Sequence, residues 1–237
     1  MIQRVRQILL APVLGAQAVQ VIRRTPRLPE AAGPRSGEVG TGEPLSLLVV
    51  GDSSAAGVGV SDQESALSGQ LTRGLADHYS VRWQLVARTG MTTARMVDYL
   101  DRSAPEEAVI AVTALGVNDA TRLVAPRRWV AQTRALHHVL RSRFGVQRIY
   151  VTAMPPLDAF PALPQPLANL LGAQARAMWE ALRSDCADDP SVRLFVPDWG
   201  LDSAQMARDG FHPGAAIYAR WGQSLAQQIL RDGPVVR

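Results

Sequence analysis

The sequence predicts an α/β fold, a doubly wound sheet of about five parallel strands with helices on both faces. Two observations carry this. Short β-type runs alternate with stretches of helical spacing from residue 46 onward, and several of those runs are almost continuously apolar, as strands covered on both faces must be. The length of 237 residues, with 47% hydrophobic and 19% charged residues, suits one such domain with a real core. It excludes a disordered or collagenous chain.

The first element is the most apolar stretch, residues 8–22, flanked by Arg4 and Arg6 before and Arg23 and Arg24 after. It is shorter than the roughly 20 residues that a membrane-spanning helix needs. Three readings fit residues 1–24. Basic residues before an apolar run that ends in Ala16-Gln17-Ala18 match a signal peptide, although Pro12 interrupts the run. Arginines flanking an apolar face match a peripheral contact with a membrane surface. An apolar helix packed on the domain is the third.

Residues 25–45 carry four prolines and four glycines without apolar periodicity. They read as an extended linker, so the folded domain is expected over 46–237. Within it the strand candidates are 47–50, 81–86, 109–115, 147–152 and 192–196. Helical spacing covers 62–78, 92–102, 126–143 and 167–184. A last helix over about 214–231 places Ile217, Trp221, Leu225 and Ile229 on one face. In a sheet wound this way, functional loops lie at the C-terminal ends of the strands.

Charge and cysteine content limit the partners. All 25 basic residues are arginine, and the pI is 9.9, which at first suggests a polyanion partner. Residues 1–45 hold six arginines against three acids, whereas residues 46–237 hold 19 against 18. The domain is nearly neutral, so no nucleic-acid partner is expected. A lone Cys186 and four histidines supply no cluster for a structural metal. Cys186, close to Asp185, Asp188 and Asp189, lacks the electropositive surroundings that activate a thiol. His137 and His138 read as surface or satisfied structural side chains, and His78 as a cation at a helix C-terminus.

Three short segments fall where the architecture puts a site. The run 51–59, Gly-Asp-Ser-Ser-Ala-Ala-Gly-Val-Gly, follows the first strand. A serine on such a glycine-flanked strand-to-helix turn can be held exposed among backbone N–H groups. A phosphate loop is the competing reading, but no Lys follows the glycines and the spacing is not G-x-G-x-x-G. Leu115-Gly116-Val117-Asn118-Asp119 ends the third strand, where an Asn carboxamide can donate into the same crevice. Asn and Asp are also common turn residues. Asp209-Gly210-Phe211-His212-Pro213-Gly214 precedes the last helix. There a carboxylate three residues from an imidazole can fix its tautomer and leave the other nitrogen to take a serine proton. Asp52 and Asp119 are candidates to tie down their respective turns.

Together these segments resemble the GDSL, or SGNH, hydrolase family, in Gly-Asp-Ser at Ser53, Arg-Thr-Gly-Met-Thr at Gly90, Gly-Val-Asn-Asp at Asn118 and Asp-Gly-Phe-His-Pro at Asp209 and His212. The likeness covers residues 46 to about 231 with every block in the family's order. It implies a flavodoxin-like three-layer α/β/α sandwich and hydrolysis of small esters with no metal and no cofactor. Carried over by position, Ser53 is the nucleophile, His212 the general base and acid, and Asp209 its orienting partner. The oxyanion hole comprises the Ser53 and Gly90 backbone N–H groups and the Asn118 side chain, with Thr89 or Met91 as alternatives to Gly90. Ser54 stands where the family's name expects Leu, at a variable position.

The resemblance implies a serine esterase for short to medium acyl chains. Thioesterase, lysophospholipase, carbohydrate deacetylase and acyltransferase chemistry share the same triad. A non-catalytic anion-binding module is the alternative of another class, and the Asp-His pair argues against it. The five-proline loop 154–167 follows the fourth strand, so Met154, Leu157, Phe160 and Leu163 are candidates to line an acyl pocket. The loop can equally be a connection that covers the core.

Overall fold

A computed structural model describes residues 2–199 and 202–233. It is a three-layer α/β/α sandwich. In chain order the elements are α1 (Ile2–Arg24), β1 (Ser36–Val39), β2 (Glu43–Gly51), α2 (Leu67–Leu75), β3 (Tyr79–Ala87), α3 (Thr93–Ser103) and β4 (Ile110–Ala114). There follow α4 (Val117–Thr121), α5 (Pro126–Phe144), β5 (Arg148–Thr152), α6 (Leu167–Asp185), β6 (Val192–Phe195) and α7 (Ala215–Asp232).

The sheet has six strands in the order β1-β3-β2-β4-β5-β6, one more than expected. Five run parallel, and β1 is an antiparallel edge on β3. Counting only the parallel strands, the order reverses at β2, whose neighbours are β3 and β4. A doubly wound sheet opens a crevice at such a reversal, beyond the strand C-termini.

The period of two along β2 divides the core. Leu48 and Val50 face one cluster with Ala111, Ile149 and Val151, covered by α3, α5 and α6. Leu47 and Val49 face the other with Val81, Ile110 and Val112, covered by α2 and α7. All four β2 side chains are fully buried, which is why the run shows no alternation in the sequence. The helices expected at 92–102, 126–143, 167–184 and 214–231 form within a residue or so of those limits. The one expected at 62–78 is shorter, because residues 52–66 are taken up by turns.

Residues 25–45, expected as an extended linker, are instead folded onto the domain. Ala31 is buried, its N–H donates to Ala56 O at 3.1 Å, and Ala32 N–H donates to Ser61 O at 2.9 Å. Gln63 Nε2 donates to the carbonyls of both Ala31 and Ala56 at 3.1 Å. These attachments use backbone groups and polar side chains, which hydrophobic patterning does not register.

α1 contains Pro12 and rests one side on the domain through Leu14, Ala18 and Val21. Gln17 donates to Gln165 O at 2.6 Å and accepts from Leu167 N–H at 3.1 Å. Val13, Val19 and Ile22 stay exposed. Among the described residues no helix is long and apolar enough to cross a membrane.

Candidate active site

Ser53 lies on the turn after β2, His212 and Asp209 on the turn before α7, and Asn118 on the first turn of α4 after β4. Two glycines make these approaches feasible. Gly59 has φ +110°, and a Cβ there would lie 2.2 Å from Pro213 O, so the turn carrying Ser53 and the turn carrying His212 can touch only without a side chain. Gly116, φ +121°, turns the chain into α4 where a Cβ would meet Met154 Sδ at 2.8 Å.

The three residues expected to act together are in contact. His212 Nδ1 donates to Asp209 Oδ2 at 2.6 Å, which leaves Nε2 to accept from the Ser53 hydroxyl at 2.8 Å. Asp209 Oδ1 accepts the N–H groups of Phe211 and His212, both at 3.0 Å, so the carboxylate also shapes the turn that carries its partner. Burial raises the Asp209 carboxyl, but the bonds from the His212 ring and the two amides outweigh it and hold it below the usual carboxylate range. It is therefore an anion aimed at the imidazole, as stabilisation of an imidazolium requires.

Asp52, 2% exposed, ties two turns together. Its Oδ1 accepts from Ser54 N–H at 3.0 Å and Ser54 Oγ at 2.9 Å, and its Oδ2 accepts from Asn118 Nδ2 at 3.2 Å. Burial pushes its carboxyl upward against these bonds. Asp119, also buried, accepts from the N–H and hydroxyl of Thr93, both at 3.0 Å. The Thr93 hydroxyl in turn accepts from Trp129 Nε1 at 2.9 Å. This chain fixes α4 against α3 and α5.

Sequence reasoning missed Tyr218. Its hydroxyl reaches both Ser54 O at 2.9 Å and Val58 O at 2.8 Å, pinning the turn that carries Ser53 to α7. Burial drives its pKa far up, so it remains a donor. In the sequence it reads only as one more apolar position on the inner face of the last helix.

The Ser53 and Gly90 N–H groups donate to no protein acceptor among the described residues. Gly90 has φ +78° on the turn after β3. Unlike Ser53 and Asn118, it is not in the lining of the cleft that opens beside Ser53.

That cleft is about 640 Å³, counted out to its mouth, and mostly apolar. Of the four loop residues, Met154 and Phe160 line it. Leu157 and Leu163 do not; they are buried in the core beneath the loop, because a 3-10 turn over Leu157–Ala159 rotates Leu157 inward. Met206, Phe211, Trp199 and Trp221, from the C-terminal part of the chain, complete the lining. Phe160 packs edge-on against Phe211 at 5.1 Å, and Phe211 against the His212 ring at 5.4 Å.

The remaining candidates lie elsewhere. His138 and His78 are exposed. His137, expected at the surface or satisfied, is buried with Nε2 unpartnered. Burial, with Asp185 and Asp189 adding, pushes the Cys186 thiol up to about 11, so it is no nucleophile at neutral pH. Among the described residues no His, Cys, Asp and Glu side chains group so as to hold a metal.

Comparison with known proteins supplies the family. The profile of the GDSL-like Lipase/Acylhydrolase family matches residues 49–220. The GDSL-like esterase Rv1075c of Mycobacterium tuberculosis (strain ATCC 25618 / H37Rv) is 28% identical over 201 residues, 79% of this chain. The chain spans only 62% of the length of that relative. The crystal structure of TesA shares the fold with a TM-score of 0.62 at 23% identity, over 79% of this chain and 98% of that one. Est24, a carbohydrate acetylesterase from Sinorhizobium meliloti, does so with a TM-score of 0.59 at 18% identity, over 79% and 99%. With its matched residues running from the strand before Ser53 to beyond His212, the chain belongs to the GDSL-like lipase/acylhydrolase family.

Proposed function

We propose that the protein is a serine esterase that hydrolyses carboxylic esters of short to medium acyl chains. The observation that carries this is the relay from Ser53 through His212 to Asp209, at 2.8 and 2.6 Å, opening on an apolar cleft. Ser53 Oγ attacks the ester carbonyl carbon as His212 Nε2 takes its proton. The carbonyl oxygen becomes an oxyanion facing the N–H groups of Ser53 and Gly90 and the Asn118 carboxamide, each such donor typically worth about 3 kcal/mol of barrier. The intermediate collapses, the C–O bond to the alcohol breaks, and the alcohol leaves with the proton from His212. Water, deprotonated by His212, then attacks the acyl-enzyme; the carboxylic acid departs and Ser53 regains its proton. The near-neutral domain and the Met154, Phe160 and Phe211 walls suit an uncharged or amphiphilic ester.

The test combines a p-nitrophenyl ester series from acetate to laurate with a fluorophosphonate label located by peptide mapping. Turnover should peak at short to medium chains, and the label should sit on Ser53. Ser53→Ala and His212→Ala should each abolish turnover in folded protein. Near-wild-type turnover in either variant, or no label on Ser53, overturns the proposal.

A further inference from the structure

Glu30 and Arg35 lie before the residues that match the family, yet they grip the turn that carries Gly90. Glu30 Oε1 accepts from Thr89 N–H at 2.7 Å and from the Thr89 hydroxyl at 2.8 Å. Glu30 Oε2 pairs with Arg35 Nη2 at 2.5 Å, and Arg35 Nη1 donates to Ala87 O at 2.6 Å. The main chain of Arg35 joins in, its carbonyl accepting from Leu85 N–H at 2.7 Å. Leu85, Ala87 and Thr89 are thus tied to the segment 30–35, while Arg88 N–H donates to Gly51 O at 3.3 Å.

The turn itself explains why such a grip matters. Met91 N–H donates to Arg88 O at 3.2 Å, and Gly90 in the third position has φ +78°, as a type II turn requires. Type I and type II turns differ by a flip of their central peptide. Here that is the Thr89–Gly90 peptide, whose N–H belongs to Gly90. A glycine tolerates either state, so the direction of this N–H depends on what holds Thr89. Glu30 holds it by both the amide and the hydroxyl. Burial raises the Glu30 carboxyl, but the Thr89 and Arg35 bonds outweigh it, so the acceptor is the carboxylate.

We propose that Glu30, braced by Arg35, is a positioning residue for catalysis: it fixes the turn that presents the Gly90 N–H to the oxyanion, so that the segment before β2 is a working part of the active site. The proposal rests on the esterase reading and on Gly90 as an oxyanion donor.

The experiment compares full-length wild type, Glu30→Ala and Glu30→Gln with p-nitrophenyl butyrate as substrate. It adds the inhibition constant of butylboronic acid, which forms a tetrahedral anion on a serine hydroxyl and so reports on the oxyanion hole. Fluorophosphonate titration supplies the concentration of competent sites. Glu30→Ala should lower kcat per competent site by about 10-fold to 100-fold. KM should stay within about twofold, as when an interaction made only in the transition state is lost. The butylboronate inhibition constant should rise by a similar factor to the loss in kcat. Glu30→Gln, whose amide oxygen still accepts from Thr89 N–H, should recover most of both. Unchanged kcat per competent site, or unchanged boronate affinity, in Glu30→Ala overturns the proposal. Ser53→Ala separates the two levels. If it retains turnover, the esterase reading fails; if it is dead while Glu30→Ala is like wild type, only the positioning role falls.

Discussion

Asp52 and Asn118, 66 positions apart, share a hydrogen bond of 3.2 Å that joins the turn carrying Ser53 to the start of α4. One amide hydrogen of Asn118 is engaged by the buried carboxylate, which leaves the other to be aimed. The bond thus sets the angle of the carboxamide relative to Ser53.

Removing Asn118 should therefore cost turnover more than binding. Asn118→Ala is expected to lower kcat about 10²-fold to 10³-fold with KM little changed. Asp52→Ala should lower kcat as well, by freeing the carboxamide and stranding the Ser54 donors. Because the two act as one unit, the double variant should lose much less than the product of the single losses. Losses that multiply in full would show the two residues to act independently.

Tyr218→Phe removes the hydroxyl that serves the carbonyls of Ser54 and Val58. Ser54 O keeps the Gly57 N–H at 3.3 Å, but leaving the buried Val58 carbonyl unpaired should cost about 1–3 kcal/mol. For a domain of this size Tm should fall by roughly 2–12 °C. A calorimetric scan checks this, and turnover below the transition should also drop, because the turn that moves is the one carrying Ser53.

Phe160 is the cleft wall that offers the clearest handle on chain length. It is 5% exposed and leans on Phe211, which leans on His212. Phe160→Ala should open the cleft and shift the ester preference toward longer acyl chains. The same change should cost about 3–5 kcal/mol of stability, so Phe160→Leu is the gentler companion. The p-nitrophenyl series, assayed well below Tm, reads the shift; an unchanged profile would remove Phe160 from the acyl pocket.

Residues 1–24 give a test of location. Val13, Val19 and Ile22 are exposed, with Arg23 and Arg24 next to them. A peripheral contact of this type needs both apolar insertion and anionic headgroups. Full-length protein should sediment with phosphatidylglycerol vesicles more than a chain starting at residue 25, and less so in high salt. Equal sedimentation of the two would remove the membrane contact.

The parts of this molecule that sequence reveals are those whose side chains carry the information. The apolar runs of β2 and β4 are buried on both faces and show it. Ser53, Asn118, Asp209 and His212 sit in short blocks whose residue types and order carry the family resemblance. β1 is the opposite case: all four residues of Ser36–Val39 are exposed, so no apolar pattern in its side chains marks it as a strand. Glu30 looked like a linker acid because its partner, Thr89, is 59 positions away. Leu157 and Leu163 are as apolar as Met154 and Phe160, and only the path of the loop divides core from cleft.

His137 should make the fold sensitive to acid. It lies on the buried face of α5, 4% exposed, with Nε2 unpartnered. Burial, helped by Arg141 and opposed by Asp189 and Asp185, lowers its pKa to about 4, whereas the unfolded chain protonates near 6.5. Between those values the unfolded state binds the extra proton, so stability falls as pH falls through this window. The shift amounts to about 3 kcal/mol once both limits are passed. His137→Leu has no proton to take up, so its stability relative to wild type should rise steadily from pH 7 to pH 4. Urea unfolding of the two proteins across that range measures the difference. Parallel curves would mean that His137 is solvated or finds a partner in solution.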